Sequence, residues 1–172
     1  KYIKRLNSLN IKPFYQIRNP TETLISAANK FSYKKQEDVL NNYFFFESLC
    51  LAVKKFYDVC INNKEYLNII FAEKRNELKE KFVFDLAKKL NIRLEINDSK
   101  KIWDKYFNKP LKPLNFDNPL KDKTKLKLNI LHYDVIVKTG LEASADKIGY
   151  SINKEDFNTN SFLFNYDKKL NS

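Results

Sequence analysis

At 172 residues the chain has the length of one domain, or of one domain with a docked appendage. Its 43% hydrophobic and 15% aromatic content is enough for a core and excludes disorder over most of the length. The formal net charge is +11, carried by 28 Lys and four Arg, a skew that A+T-rich codons would also produce together with the 21 Asn. Two Gly, one His and two Cys exclude a phosphate-cradling glycine loop and a four-ligand zinc site. No apolar run approaches the roughly 20 residues of a membrane-spanning helix, so no membrane span is expected.

In chain order, Asn19-Pro20-Thr21-Glu22 is a helix start: Asn as cap, Pro in the first turn and an acid beside it. Leu24, Ile25, Ala28 and Phe31 follow on one face. Helical spacing of Val39, Tyr43, Phe46, Cys50, Val53, Tyr57 and Cys60 predicts a long helix over 36–61. Phe44, Phe45, Leu49 and Phe56 widen its stripe, which implies burial on more than one side. Asn62-Asn63 breaks it. Leu67, Ile70, Phe71, Leu78, Phe82, Leu86 and Leu90 then predict a second long helix over 64–90, antiparallel to the first.

The period next changes to two at Ile92, Leu94 and Ile96, which predicts a short strand. Asp98 or Ser99 can cap a short helix bearing Ile102, Trp103, Tyr106 and Phe107, with Trp103 as a core anchor. Three of the five prolines fall in the following loop. Leu126, Leu128 and Ile130, then Leu131, Tyr133, Val135 and Val137, predict strand over 125–138, and Phe162, Phe164 and Tyr166 a final strand. The expected fold is therefore α+β, mainly α: an antiparallel pair of long helices with a smaller β-containing C-terminal part. The expected organisation is a helical part with a basic N-terminal segment (1–107), a Pro/Lys-rich connecting loop (108–124) and the small β-containing part (125–172).

The positive charge is localised. Residues 1–35 hold eight Lys or Arg against one acid, and residues 99–127 nine against three, while the stretches between and after are close to neutral. A localised basic patch can bind a polyanion, and aromatics among cations are what single-stranded nucleic-acid surfaces use. The candidate contacts are Lys1, Lys4, Arg5, Lys12 and Arg18, interleaved with Tyr2, Phe14 and Tyr15. The second set is Lys100, Lys101, Lys105, Lys109, Lys112, Lys121, Lys123 and Lys125, around Trp103, Tyr106 and Phe107. The competing explanation is a lysine-biased, solvated surface whose aromatics serve the core.

Three short motifs stand beside the charge. Ala145, Ile148, Gly149 and Ser151 resemble in spacing the middle of a helix-turn-helix. The recognition stretch that this resemblance implies, Asn153 to Asn160, carries one Lys and two acids, the wrong charge for a phosphate-lined groove. Tyr133-Asp-Val-Ile-Val with Lys147-Ile-Gly-Tyr resembles the two core strands of GIY-YIG nucleases, which implies nuclease chemistry on these strands; the Arg that family carries on the helix after its second element has no counterpart here. His132 and Asp134 lie two residues apart, so on a strand they would share one face.

Cys50 and Cys60 stand ten residues apart on one predicted helix, about 15 Å, too far to bridge. They read as small buried apolar residues of a reducing intracellular compartment, cytoplasmic or organellar. The chain lacks Met throughout, which is expected of a processed product, a fragment or a part of something longer. No cofactor and no metal is implied. The expected function is a non-catalytic basic binding protein, a nucleic-acid-associated (RNA or DNA) component of a larger assembly. The alternative is a structural or adaptor subunit that meets protein partners, and the third reading is a nuclease-like enzyme.

Overall fold

A computed structural model of the chain describes residues 2–31, 36–108 and 128–167. The protein is mainly helical, with one small two-stranded parallel sheet. The described residues form two compact units, one running to Ile70 and resuming at Leu128, the other from Phe71 to Asn108.

The first unit opens with α1 (Tyr2–Ser8), β1 (Phe14–Ile17) and α2 (Pro20–Phe31). The predicted start of α2 is as expected: Asn19 Oδ1 accepts from the N–H groups of Thr21 at 3.0 Å and Glu22 at 3.3 Å. A short α3 (Gln36–Leu40) precedes α4 (Tyr43–Asn62), the longest helix among the described residues. The continuous helix expected over 36–61 is thus divided at Asn41-Asn42. Asn side chains compete with the helix for backbone partners, and here Asn42 Oδ1 takes the Phe45 N–H at 3.2 Å, starting a new helix. α4 packs against α2, α8 (Ile130–Lys138) and α9 (Leu141–Lys147). It buries Phe46, Leu49, Cys50, Val53, Tyr57 and Cys60, and the Tyr57 hydroxyl donates to the Arg18 carbonyl. Phe44, Phe45 and Phe56, expected inside, are exposed.

The antiparallel partner helix over 64–90 does not form. A 3₁₀ turn (Lys64–Tyr66) leads into β2 (Asn68–Phe71), which pairs with β1. β-Branched Ile69-Ile70 favours the extended form, and Asn68 anchors its start by donating from N and Nδ2 to the carbonyls of Pro13 at 2.9 Å and Lys12 at 3.1 Å. The second unit follows with α5 (Ala72–Leu78) and α6 (Glu80–Lys89), separated by Lys79 at φ +45°. α6 closes with Asn91 at φ +55°: the N–H of Ile92 donates to Ala87 O at 2.9 Å and that of Asn91 to Lys88 O at 3.1 Å, the paired bonds of a Schellman end.

The predicted strand at Ile92–Ile96 is likewise absent: no strand among the described residues offers it a ladder, and Ile96 instead opens α7 (Ile96–Ile102), which packs on α6. α7 runs directly into a five-residue π-turn, Trp103–Phe107. Trp103 is buried, as an anchor should be.

The C-terminal part is not β-containing in the expected way. Residues 130–138 are α8, because Asn129 and His132 build a capping box whose bonds outweigh the β-rich composition. α9 follows from Gly140 at φ +74°, where a Cβ would come within 3.3 Å of Lys54 Cε. After Gly149 (φ +92°) no recognition helix appears, only a 3₁₀ turn (Lys154–Asp156), so the helix-turn-helix resemblance ends there. The nuclease-like strand at Tyr133 is helix, which removes that resemblance too.

Instead of a final strand, the tail crosses two helix starts in the same way twice. At α8, Asn158 N donates to Leu128 O (2.8 Å) and Ile130 N to Asn158 O (2.9 Å), while Asn129 Nδ2 donates to Asn160 O (2.6 Å). At α4, Asn165 N donates to Asn41 O (2.8 Å) and Tyr43 N to Asn165 O (2.9 Å), while Asn42 Nδ2 donates to Asp167 O (2.8 Å). Between these clamps Phe162 and Phe164 lie against the His132 ring at 4.6 and 4.9 Å.

Candidate nucleic-acid interface

The N-terminal set lies in the first unit. Lys4 and Arg5 are exposed on α1, Lys12 is exposed just before β1, and Arg18 follows β1. Arg18 is committed locally, its guanidinium 2.7 Å from the Glu22 carboxylate. The neighbouring aromatics serve packing: Tyr15 stacks on Phe56 at 4.6 Å, and Phe14 is half-buried. Lys1 lies outside the described residues, as do Lys109, Lys112, Lys121, Lys123 and Lys125 of the second set and residues 109–124 of the expected connecting loop.

The described members of the second set lie in the other unit. Lys100 and Lys101 project from α7, and Lys105 from the π-turn, all exposed. Lys101 meets Asp98 at 2.9 Å, whereas Lys100 and Lys105 have no ion pair among the described residues. The widened turn is closed by the Asn108 N–H, which donates to Trp103 O at 2.9 Å. With more than four residues per turn, Trp103 and Phe107 stand one above the other, stacked at 5.4 Å and 13°. Phe107 stays 39% exposed and Tyr106 64% exposed, with Lys105 Nζ 5.1 Å from the Tyr106 ring centre. Lys88, Lys89 and Arg93 of the same unit are also exposed. They were not among the predicted contacts, although paired lysines in the last turn of an amphipathic helix are a legible signal.

No protein-family model, no curated protein and no solved structure matches the chain.

The chemistry-bearing residues of the first unit are occupied. His132 is buried on α8, not on a strand, and its ring nitrogens are both engaged: Nδ1 accepts from the Asn129 N–H at 2.9 Å, and Nε2 lies 3.0 Å from the Leu40 carbonyl. A backbone N–H can only donate and a carbonyl only accept, so the proton sits on Nε2. Burial lowers the imidazole below its usual range, partly opposed by the bond to Leu40. Asp134 is exposed on the same helix, and a helix does not place residues two apart on one face, so the expected pair is not a pair.

Ser144 Oγ donates to Asp58 Oδ1 at 2.7 Å and Lys54 Nζ lies 2.6 Å from Oδ2; these bonds hold the Asp58 carboxyl below the usual range and pin α9 to α4. Lys138 donates to the Tyr43 hydroxyl at 2.6 Å and lies 3.3 Å from Glu47, which raises its ammonium further. Spacing gave no sign of this trio, whose members come from α4 and α8. Cys50 and Cys60 are free and buried, and burial pushes their thiols up to about 12 and about 11. Among the described residues no cluster of His, Cys, Asp and Glu could hold a metal ion, and no helix is long and apolar enough to cross a membrane.

Proposed function

We propose that the protein is a non-catalytic nucleic-acid-binding component of a larger assembly, RNA or DNA, that meets phosphates through the lysines of α7 and the π-turn. The observation that carries this reading is the pair Lys100 and Lys105: exposed, free of acids among the described residues, and next to the exposed rings of Tyr106 and Phe107. Unpaired ammonium groups release counterions when they replace them on a phosphate backbone, and that release drives sequence-independent binding. The exposed Lys88, Lys89 and Arg93 of the same unit add to its positive charge.

The test is binding of homopolymeric RNA and DNA by the full chain from 50 to 200 mM salt. Five neutralised phosphates give a fall in affinity of about two to three decades over that range. Lys100→Ala with Lys105→Ala should flatten the log–log salt slope by about two. Binding no tighter than that of an equally basic control protein at 100 mM salt removes the proposal.

A second reading, an adaptor that meets protein partners, is favoured by the large apolar side chains Phe44, Phe45, Leu51 and Phe56 exposed on α4. A defined protein partner that co-purifies without nuclease-sensitive material, and is lost on Phe45→Ser with Leu51→Ser, would select it. The two buried free thiols support placement in a reducing intracellular compartment.

A further inference from the structure

We infer that the π-turn is a stacking platform, and that the protein therefore selects single-stranded over duplex nucleic acid. The inference rests on the nucleic-acid reading above and adds to it what the ligand's bases must do. A π-turn is a rare departure from helical geometry that recurs at functional sites. Here it has a specific effect on side-chain placement. It ties Trp103, buried in the second unit, face to face with Phe107, so the outer ring is backed by a fixed one. It also leaves Tyr106 with most of its surface in water and the Lys105 ammonium against its ring.

Tyr106, an open planar ring with a cation against it, suits a nucleobase face with its phosphate close by, and Phe107, backed by Trp103, fixes the turn that presents it. Base faces are available in a single strand and hidden in a duplex, where neighbours stack on both sides. Duplex readout would instead require an element that enters a groove carrying Arg, Asn or Gln toward base edges. α7 has seven residues and no Arg, and Asn97 is its one exposed amide beside Lys100 and Lys101, so it offers a groove little base-edge readout.

The experiment uses the full chain with 12-residue oligouridine, 12-residue oligothymidine and a 12-base-pair duplex, all at one salt concentration. Anisotropy of the labelled oligonucleotide reports binding, and emission of Trp103, the one Trp in the sequence, reports the platform directly. The single strands should bind about tenfold more tightly than the duplex and perturb Trp103 emission. Tyr106→Ala should lower single-strand affinity about tenfold while leaving duplex affinity and the salt slope unchanged. Tyr106→Phe should restore it. Unchanged Trp103 emission of the free variants checks that the platform stays folded. Equal affinity for duplex and single strand, or equal loss of both on Tyr106→Ala, overturns the stacking platform and leaves phosphate binding intact. Binding to none of the three overturns the nucleic-acid reading itself.

Discussion

His132 acts as a structural hydrogen-bond bridge. It joins the start of α8 to the end of α3 while Phe46, Phe162 and Phe164 surround its ring. Protonation would place a second N–H on Nδ1, facing the Asn129 N–H, with no acceptor there. The folded imidazole titrates below the unfolded value of about 6.5, so the unfolded chain takes up the proton first as pH falls. Stability from this residue is complete above that value and declines below it. Urea midpoints of the wild-type protein should therefore drop between pH 7.5 and 5.5. His132→Gln should lose most of that drop, because the Gln amide accepts from Asn129 and donates to Leu40 without titrating. An unchanged pH slope in the variant would show that other groups dominate. The cysteines give a second residue-scale expectation. Thiols at about 11 and about 12, enclosed by α4 packing, have almost no thiolate at neutral pH. Native protein should react with a disulfide reagent far more slowly than urea-unfolded protein, and rapid native labelling would show that the α4 face opens.

At the scale of elements, the paired asparagine clamps decide how the tail is held. Asn42 and Asn129 each close a helix start with the side-chain oxygen and hold a tail carbonyl with the side-chain nitrogen. Asn42→Ala should cost about 2 kcal/mol, a cap of about 1 and a similar amount for a buried hydrogen bond. Asn42→Asp separates the two roles: the cap persists while the donor to Asp167 is lost. Amide exchange at Asn165 should then accelerate while that of the α4 interior is retained. Equal acceleration in both would mean the helix start itself had failed. These clamps also explain what was legible in the sequence. The Asn19-Pro20 start and the buried face of α4 could be read from neighbours alone, since a cap and a period of 3.6 are local. Leu128–Val137 and Ile92–Ile96 have the composition of strands, yet a strand needs a partner, and for these segments a capping box and a Schellman end supply the hydrogen bonds instead. Asn129 and Asn42 look like ordinary polar residues until the tail they bind, 31 and 125 residues downstream, is placed beside them. Of the candidate interface, the lysines and rings at 100–107 were legible from composition. The π-turn that arranges them was not, because a bond pattern one residue wider than a helix leaves the sequence period almost unchanged.

For the whole molecule, the described members of the two basic sets that dominate the +11 charge belong to separate units, with Arg18 paired to Glu22 and Lys100 and Lys105 without an ion pair among the described residues. A composition-driven lysine surface would lose affinity evenly as lysines are removed. The interface proposed here should lose it unevenly, more from Lys105→Ala than from Lys101→Ala, whose ammonium already faces Asp98. The salt slope of each single variant measures the difference. The division into units has another consequence. The first unit draws on both ends of the described chain, and the second lies wholly between them. During synthesis from the N-terminus, the residues of the second unit are complete before the other half of the first has been made. Phe46 and Leu40 must then wait for His132, and Asn42 for Asp167. Long-range closure of this kind is slow, because the loop must be ordered before its contacts repay it. The paired clamps therefore act as the last stitch: until the tail arrives, the first unit holds an apolar face and two unsatisfied amides open to whatever else is nearby.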